Sequence, residues 1–358
     1  MHTADADDQR GPGAPIVSVG LPVHDGERYM AETLDSILGQ DVDGLEVIIS
    51  DNASTDATEE IARSYAARDP RVCYVRNERN LGAARNYNRL VDAARGRYFK
   101  WAGYDDLLRP AHLRRCLEVL DAEPEVVLTY PRTDIIDGAG EIVRQHDDNL
   151  HLGSPDPVER VRHFARSFTL CNPCFGVIRR DVLLRTSLVQ PFVSSDIPLL
   201  VELALLGQWH EVPERLFLRR IHETSSRQGG LTMEQVARFF EPGRSRPLAP
   251  RTRMVTESLR SIGRSDLPAA VRARAAAAFL STWTLRRVRV RGGQAKAAVR
   301  RRRRRSWRSR HGGAKRGHDG AGPRVRTEPA RRRGRWVRRG CGRWWAISRT
   351  EPGCARPG

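Results

Sequence analysis

Two adjacent carboxylates, Asp105 and Asp106, follow an aromatic-rich run, Tyr98-Phe-Lys-Trp-Ala-Gly-Tyr, whose first part has the character of a strand. Two such acids side by side repel each other unless a cation sits between them or water screens them. Mg²⁺ or Mn²⁺ carrying phosphates suits that position, because hard cations take carboxylate and phosphate oxygens. A solvated acidic turn or a helix cap is the competing reading, since Asp favours both. Other reactive side chains end apolar runs in the same way. Asp51 closes one, Asp196 heads another after Ser194-Ser195, and Arg220-Ile221-His222 terminates a third. Residues two apart on a strand share a face, so Arg220 and His222 can point into one pocket. Arg offers a planar, permanently charged fork for phosphate, and His can ligate a metal or donate to a phosphate oxygen.

The elements that must position these groups alternate. Strands are expected at Ile16–Val23, Leu45–Ser50, Val72–Val75, Tyr98–Ala102 and Val126–Tyr130, and helices at Arg28–Leu38, Ala57–Ala67, Ala83–Ala94 and Ala111–Leu120. The first strand is a short, near-continuous apolar run, as expected for a parallel strand covered on both faces. Strict β-α alternation with short connections predicts an α/β domain with a mostly parallel sheet flanked by helices. Ligands of such sheets bind beyond the carboxyl ends of the strands, where the acids stand. From Pro131 to Asp156 the pattern loosens, and a hairpin or an acceptor-side loop fits it. Helices follow at Val158–Phe168 and Ile197–Leu206, with strands at Phe175–Ile178 and Trp209–Leu218. Thr232–Phe240 and Thr252–Val290 read as helical, with Pro242–Pro250 between them.

Six segments in order carry a resemblance: Pro22-Val-His-Asp-Gly-Glu27, Ser50-Asp-Asn-Ala-Ser-Thr-Asp56, Asn80-Leu-Gly-Ala-Ala-Arg-Asn86, Asp105-Asp106, Ser195-Asp196 and Arg220-Ile-His222. Together they resemble a family 2 glycosyltransferase with the GT-A fold, over about 200 residues. The resemblance implies an inverting transfer of a sugar from a nucleotide-diphosphate donor to an acceptor hydroxyl, assisted by Mn²⁺ or Mg²⁺. It implies nucleotide-sugar contacts from Pro22, His24, Glu27, Asp51, Arg85, Asp105 and Arg220. Asp106 and His222 match the metal positions, and Asp196 matches the general base. Asp51 can accept a hydrogen bond from a nucleobase N–H, which uridine and guanine both offer. Competing structural readings are a turn acid for Asp51, a first-turn acid for Glu27, helix-surface charge for Arg85 and a cap for Asp196. Many relatives carry a further Asp two places before Asp105, where this chain has Gly103, and Glu where it has Ser195.

The formal charge of +19 over 358 residues is unevenly spread. Residues 286–358 hold 26 Lys/Arg against 3 Asp/Glu, which leaves residues 1–285 mildly acidic. The expected organisation is a disordered lead over 1–14, the glycosyltransferase domain over 15–230, a helical extension over 231–290 and a disordered arginine-rich tail over 291–358. That tail favours polyanions without sequence preference, and anionic membrane surfaces if the acceptor is lipid-linked. Nucleic acid is the less favoured partner; glycan, lipid-linked and small-molecule acceptors all fit. The six cysteines make neither a zinc pattern nor a redox pair in a suitable setting, Cys171-Asn-Pro-Cys174 included. They suit buried thiols in a reducing compartment. No signal peptide or membrane-length apolar run is visible, so the expectation is a cytoplasmic bacterial enzyme of cell-envelope glycan synthesis, peripheral at the inner membrane face if the tail docks there. A nucleotidyltransferase of similar sheet is the first rival, but its glycine-rich basic loop is missing after strand one. A dinucleotide-dependent dehydrogenase lacks its G-x-G-x-x-G fingerprint here.

Overall fold

A computed structural model describes residues 14–223, 225, 232–240 and 249–288. The arginine-rich tail, Cys341 and Cys354 lie outside the described residues. The chain divides into two compact units, Met1–Trp283 and Thr284–Gly358. Within the first, the strands are β1 (Val17–Val23), β2 (Leu45–Asp51), β3 (Val72–Arg76), β4 (Tyr98–Trp101), β5 (Leu107–Leu108), β6 (Val126–Ile136), β7 (Ile142–His146), β8 (Val177–Arg179) and β9 (Gln208–Arg220). The helices are α1 (Met30–Leu38), α2 (Thr58–Arg68), α3 (Ala83–Ala93), α4 (His112–Ala122), α5 (Pro157–Ser167), α6 (Arg180–Leu183), α7 (Asp196–Leu206), α8 (Met233–Phe240) and α9 (Pro250–Arg264).

One sheet carries the strands in the order β3-β2-β1-β4-β8-β6-β9-β5, with β7 also paired to β6. Strands β1, β2, β3, β4, β6 and β9 run one way; β5, β7 and β8 run the other. The sheet is therefore mostly parallel. Side chains alternate across it. In β2, Val47 and Ile49 join the apolar layer of Met30, Leu34, Leu113 and Cys116, while Ile48 joins the layer of Leu90, Trp101, Phe164 and Leu203. Helices thus cover both faces, which is why the central strands are apolar on both sides. No helix among the described residues is long and apolar enough to cross a membrane.

The structure extends two expectations and breaks one. The strand expected to stop at Tyr130 continues to Ile136 and turns through Asp137-Gly138-Ala139-Gly140 into β7, so the loose stretch begins with a hairpin. Its polar residues are matched across space: Arg109 Nη2 lies 3.1 Å from Asp134 Oδ2, and Arg132 Nε donates to Glu211 Oε1 at 3.1 Å. β9 likewise runs two residues past the expected Leu218, to Arg220. The single helix expected over 252–290 is interrupted: α9 ends at Arg264, and helix resumes at 269. Pro268 explains the break, because the residue before a proline is pushed out of the helical region.

Candidate active site

The chain runs outward from β1 to β2 and β3, then returns to the other side of β1 as β4. That reversal makes the carboxyl ends of β1 and β4 a topological switch point, where open α/β sheets form their ligand crevice. Asp105 and Asp106 lie just past the end of β4. Two residues of antiparallel pairing follow, Leu107 with Leu218 and Leu108 with Phe217, and these pin the acids beside the last residues of β9.

Asp106 Oδ1 accepts the Arg220 backbone N–H at 2.9 Å. His222 Nε2 donates to Asp105 Oδ2 at 2.9 Å. The Arg220 side chain is enclosed: Nε donates to the Asp105 carbonyl at 2.8 Å, Nη2 to Glu32 Oε2 at 2.6 Å, and Nη1 reaches the Asp137 and Gly138 carbonyls at 3.3 and 3.4 Å. Tyr29 stands behind both groups, its ring 4.6 Å from the Arg220 guanidinium carbon and 4.8 Å from the His222 ring centre. The β6–β7 turn, α1 and the end of β9 are thereby tied to the acid pair through one guanidinium. Neither Tyr29 nor Glu32 was legible as a site residue, because each acquires its role only from contact with Arg220.

Gly103 explains how two acids fit. A Cβ there would lie 2.7 Å from Asp106 Oδ2 and 3.0 Å from Asp105 Oδ1, so both carboxylates fold over the bare glycine. Burial pushes the Asp106 carboxyl up, Asp105's charge adds to this, and Arg219, the Arg220 N–H and Lys100 oppose it; the result is about 7. This donor set fits a hard divalent ion, since Mg²⁺ is commonly held by one or two carboxylates plus substrate phosphates. Among the described residues no group of three or more His, Cys, Asp or Glu is arranged to hold an ion by itself.

Pro22 and Asp51 stand at the carboxyl ends of β1 and β2, and His24 and Glu27 lie in the loop after β1. Pro22 lies in β1 beside Ser50. The loops after β1 and β2 interlock: Asp25 N–H donates to Ser54 Oγ, Gly26 N–H to Thr58 Oγ1, and Thr55 N–H to Asp25 Oδ1. Glu27 Oε2 accepts the Ala57 N–H at 3.0 Å, a structural duty at the head of α2. His24 is partly exposed, with Nε2 3.6 Å from Asp25 Oδ2. Asp51 is fully buried and already engaged: Oδ1 accepts the Ser54 N–H, and Oδ2 accepts Tyr74 Oη at 2.8 Å and Arg76 Nη1 at 2.6 Å. Burial alone would raise its pKa, but these bonds outweigh it and hold the carboxyl below its ordinary value. Asn52 and Asn86 are buried in a side-chain network with Ser50, Asn77 and Asn80 that shapes the turn before α3. Arg85 is exposed in the first turn of α3. Asp196 is the first residue of α7; the cap position belongs to Ser195, whose side chain makes no capping bond.

Lys100 is a group that the sequence reading passed over. It is wholly buried in β4, donates to the Phe175 carbonyl and lies 5.3 Å from the Phe217 ring centre. Burial brings its pKa down to about 8, against the pull of Cys116, Asp106 and Cys174. A lysine in an otherwise apolar strand was the signal available.

Residues 18–189 match the family model described as glycosyl transferase family 2. Those residues form a family 2 glycosyltransferase domain. An uncharacterized glycosyltransferase of Rickettsia typhi is 32% identical over 145 residues, which are 40% of this chain and 42% of that protein. Chondroitin synthase of Escherichia coli is 30% identical over 129 residues, 36% of this chain and 19% of its own. The chain thus spans less than half the length of these curated relatives. Among solved structures, residues 1–349 of S. aureus TarS in complex with UDP-GlcNAc superpose with a TM-score of 0.56 at 17% identity, covering 75% of this chain and 72% of that one. At that identity the likeness concerns fold, and the glycosyltransferase domain has the GT-A fold that the resemblance implied. The acid pair lies inside the matched segment; Asp196, Arg220 and His222 lie beyond it.

Proposed function

We propose that the chain is an inverting, metal-dependent glycosyltransferase acting on a nucleotide-diphosphate sugar and an acceptor hydroxyl. The observation that carries this reading is the carboxylate pair folded over Gly103 at the switch point, facing the Arg220–His222 end of β9. Asp106 and His222 would hold Mn²⁺ or Mg²⁺, with Asp105 beside them towards the donor's ribose; bound there, the ion would supply Lewis-acid neutralisation of charge on the departing diphosphate. The rim of Pro22, His24, Glu27 and Asp51 would take the nucleoside. In that role Asp51 works with Arg76 already paired to it, so base recognition and the Arg76 contact are linked. Arg85, exposed at the head of α3, is available to the nucleotide. Arg220 serves chiefly by holding the Asp105 carbonyl and the β6–β7 turn in place. Asp196 takes the proton from the acceptor hydroxyl as that oxygen attacks the anomeric carbon, a contribution of about 10²–10⁴ in rate for a positioned base. Direct displacement by a single base gives inversion.

The name of one relative, chondroitin synthase, supports a role in polysaccharide synthesis, and the UDP-GlcNAc held by TarS, a likeness in fold, supports a nucleotide-sugar donor. Contact of the tail 291–358 with anionic membrane belongs to the same proposal and rests on composition. The test is a thermal-shift titration of the full chain with UDP and GDP in Mn²⁺. A ligand that binds only the native state raises the midpoint. A shift with one nucleotide that vanishes in chelator supports the proposal; no shift with either, with or without metal, overturns it.

A further inference from the structure

A cavity lies towards the opposite end of β9. Leu152 bridges Trp209 near the start of that strand, whereas the acid pair adjoins Arg220 at its end, roughly 35 Å away at the usual rise of a strand. The cavity, of about 280 Å³, opens beside Leu152 between the 151–154 segment and one face of α5. Three arginines of its wall, Arg160, Arg162 and Arg166, face a single acid, Glu159. This concentration of positive charge stands in a body, residues 1–285, that is mildly acidic overall.

Arg160 is buried, and among the described residues its guanidinium hydrogen-bonds only to carbonyls, with the charge of Asp156 nearby. Nε and Nη2 donate to Ala204 and Leu205 at 2.7 and 3.1 Å, and Nη1 donates to Ser154 and Pro155 at 2.8 and 3.0 Å. The carbonyl end of α7 favours a cation there, which accounts for this one arginine. It leaves the others unexplained. Arg162 is paired with Glu159 at the surface, and Arg166 is exposed with no acidic partner among the described residues. His151 Nδ1 accepts the Glu211 N–H at 3.4 Å, so the neutral ring carries its proton on Nε2. That nitrogen lies over Gly153, where a Cβ would come within 2.9 Å of it. Ser154 Oγ accepts the Asp156 N–H at 3.2 Å, and its own proton is uncommitted among the described residues. Donors from a loop and a helix therefore converge on one concave space that has a surplus of cations.

We infer that this cavity binds a phosphate group, presented either by a soluble phosphorylated ligand or by a lipid headgroup, at a place distinct from the donor site. The inference does not depend on the proposed reaction. The probe is inorganic phosphate, titrated at constant ionic strength into the full chain with the unfolding midpoint as readout. A saturable rise is expected. It should weaken about tenfold or more in Arg166→Glu, the scale of one charge-assisted hydrogen bond, and persist in Asp106→Asn. Arg162→Gln serves as a second variant, weakening phosphate less because its charge is shared with Glu159. An unsaturable rise, or one equal in wild type, Arg166→Glu and Arg162→Gln, overturns the site. So does a rise that appears only with added Mg²⁺ and is lost in Asp106→Asn, which would place the phosphate at the acid pair. Sedimentation with phosphatidylcholine vesicles, with and without phosphatidic acid, separates the two sources. Binding to phosphatidic acid that falls in Arg166→Glu assigns the headgroup; vesicle binding equal in both proteins, alongside the lost phosphate response, assigns a soluble ligand.

Discussion

Replacing Asp106 with Asn should produce a protein that loses sugar transfer and gains stability, increasingly so as pH rises. Burial first, and Asp105's charge second, carry the Asp106 carboxyl from 3.8 to about 7 in the native chain. Between those values the folded protein keeps a proton that the unfolded chain has released. Its stability contribution is therefore complete below pH 3.8, declines as pH climbs to about 7, and is level beyond. Each pH unit of separation is worth about 1.4 kcal/mol, so ionising this buried acid costs the native state about 4 kcal/mol in total. Between pH 5 and pH 8 the wild type should lose about 2 kcal/mol, a change that belongs to the Asp105–Asp106 pair as a unit because the two charges act on each other. The Asn variant has no such proton, and its amide oxygen can still accept the Arg220 N–H. Guanidinium unfolding of both proteins in chelator, at pH 5 and pH 8, should show the gap between them widening by that amount. Parallel loss of stability in the two proteins would refute the reasoning, since it would mean that Asp106 does not titrate in this range. A group that weakens the fold while serving the site is the ordinary trade-off between stability and activity.

Gly103→Ala should cost little stability, about 1 kcal/mol or less because only carboxylate ends must swing aside, yet abolish the nucleotide-and-manganese thermal shift; an undiminished shift would show that the glycine is not required. Arg220→Ala strips hydrogen bonds from the Asp105, Asp137 and Gly138 carbonyls and should lower unfolding free energy in urea by about 2–4 kcal/mol, so an unchanged midpoint would remove its bracing role. Asp196→Asn should reduce turnover by about 10²–10⁴ with nucleotide affinity unaltered, and a loss confined to affinity would reassign that residue.

The order of strands and helices was legible because its cause is local. Apolar runs such as Ile48-Ile49 must be covered on both faces, and alternation of short strands with amphipathic helices leaves few ways to do that. The acids at the strand ends were legible for the same reason: a carboxylate directly after an apolar run has only the sheet's rim to occupy. What the sequence could not supply was which distant groups meet them. The polar outer half of β6 could be read as a hairpin or as a loop, because Arg132 and Asp134 find their partners on other elements, and no local pattern records that. Arg220 suggested a phosphate clamp from its type and spacing, whereas folding closes Glu32, Tyr29 and three carbonyls around it. Gly103 was visible only as a missing acid; the structure gives it a reason, because two carboxylates occupy the space its side chain would need. Residue types thus determined which chemistry is available, since charge and hydrogen-bonding capacity belong to the side chain itself. Tertiary structure alone decided which charges face each other and how deeply they are buried, because both depend on chain segments more than a hundred residues apart arriving at one place.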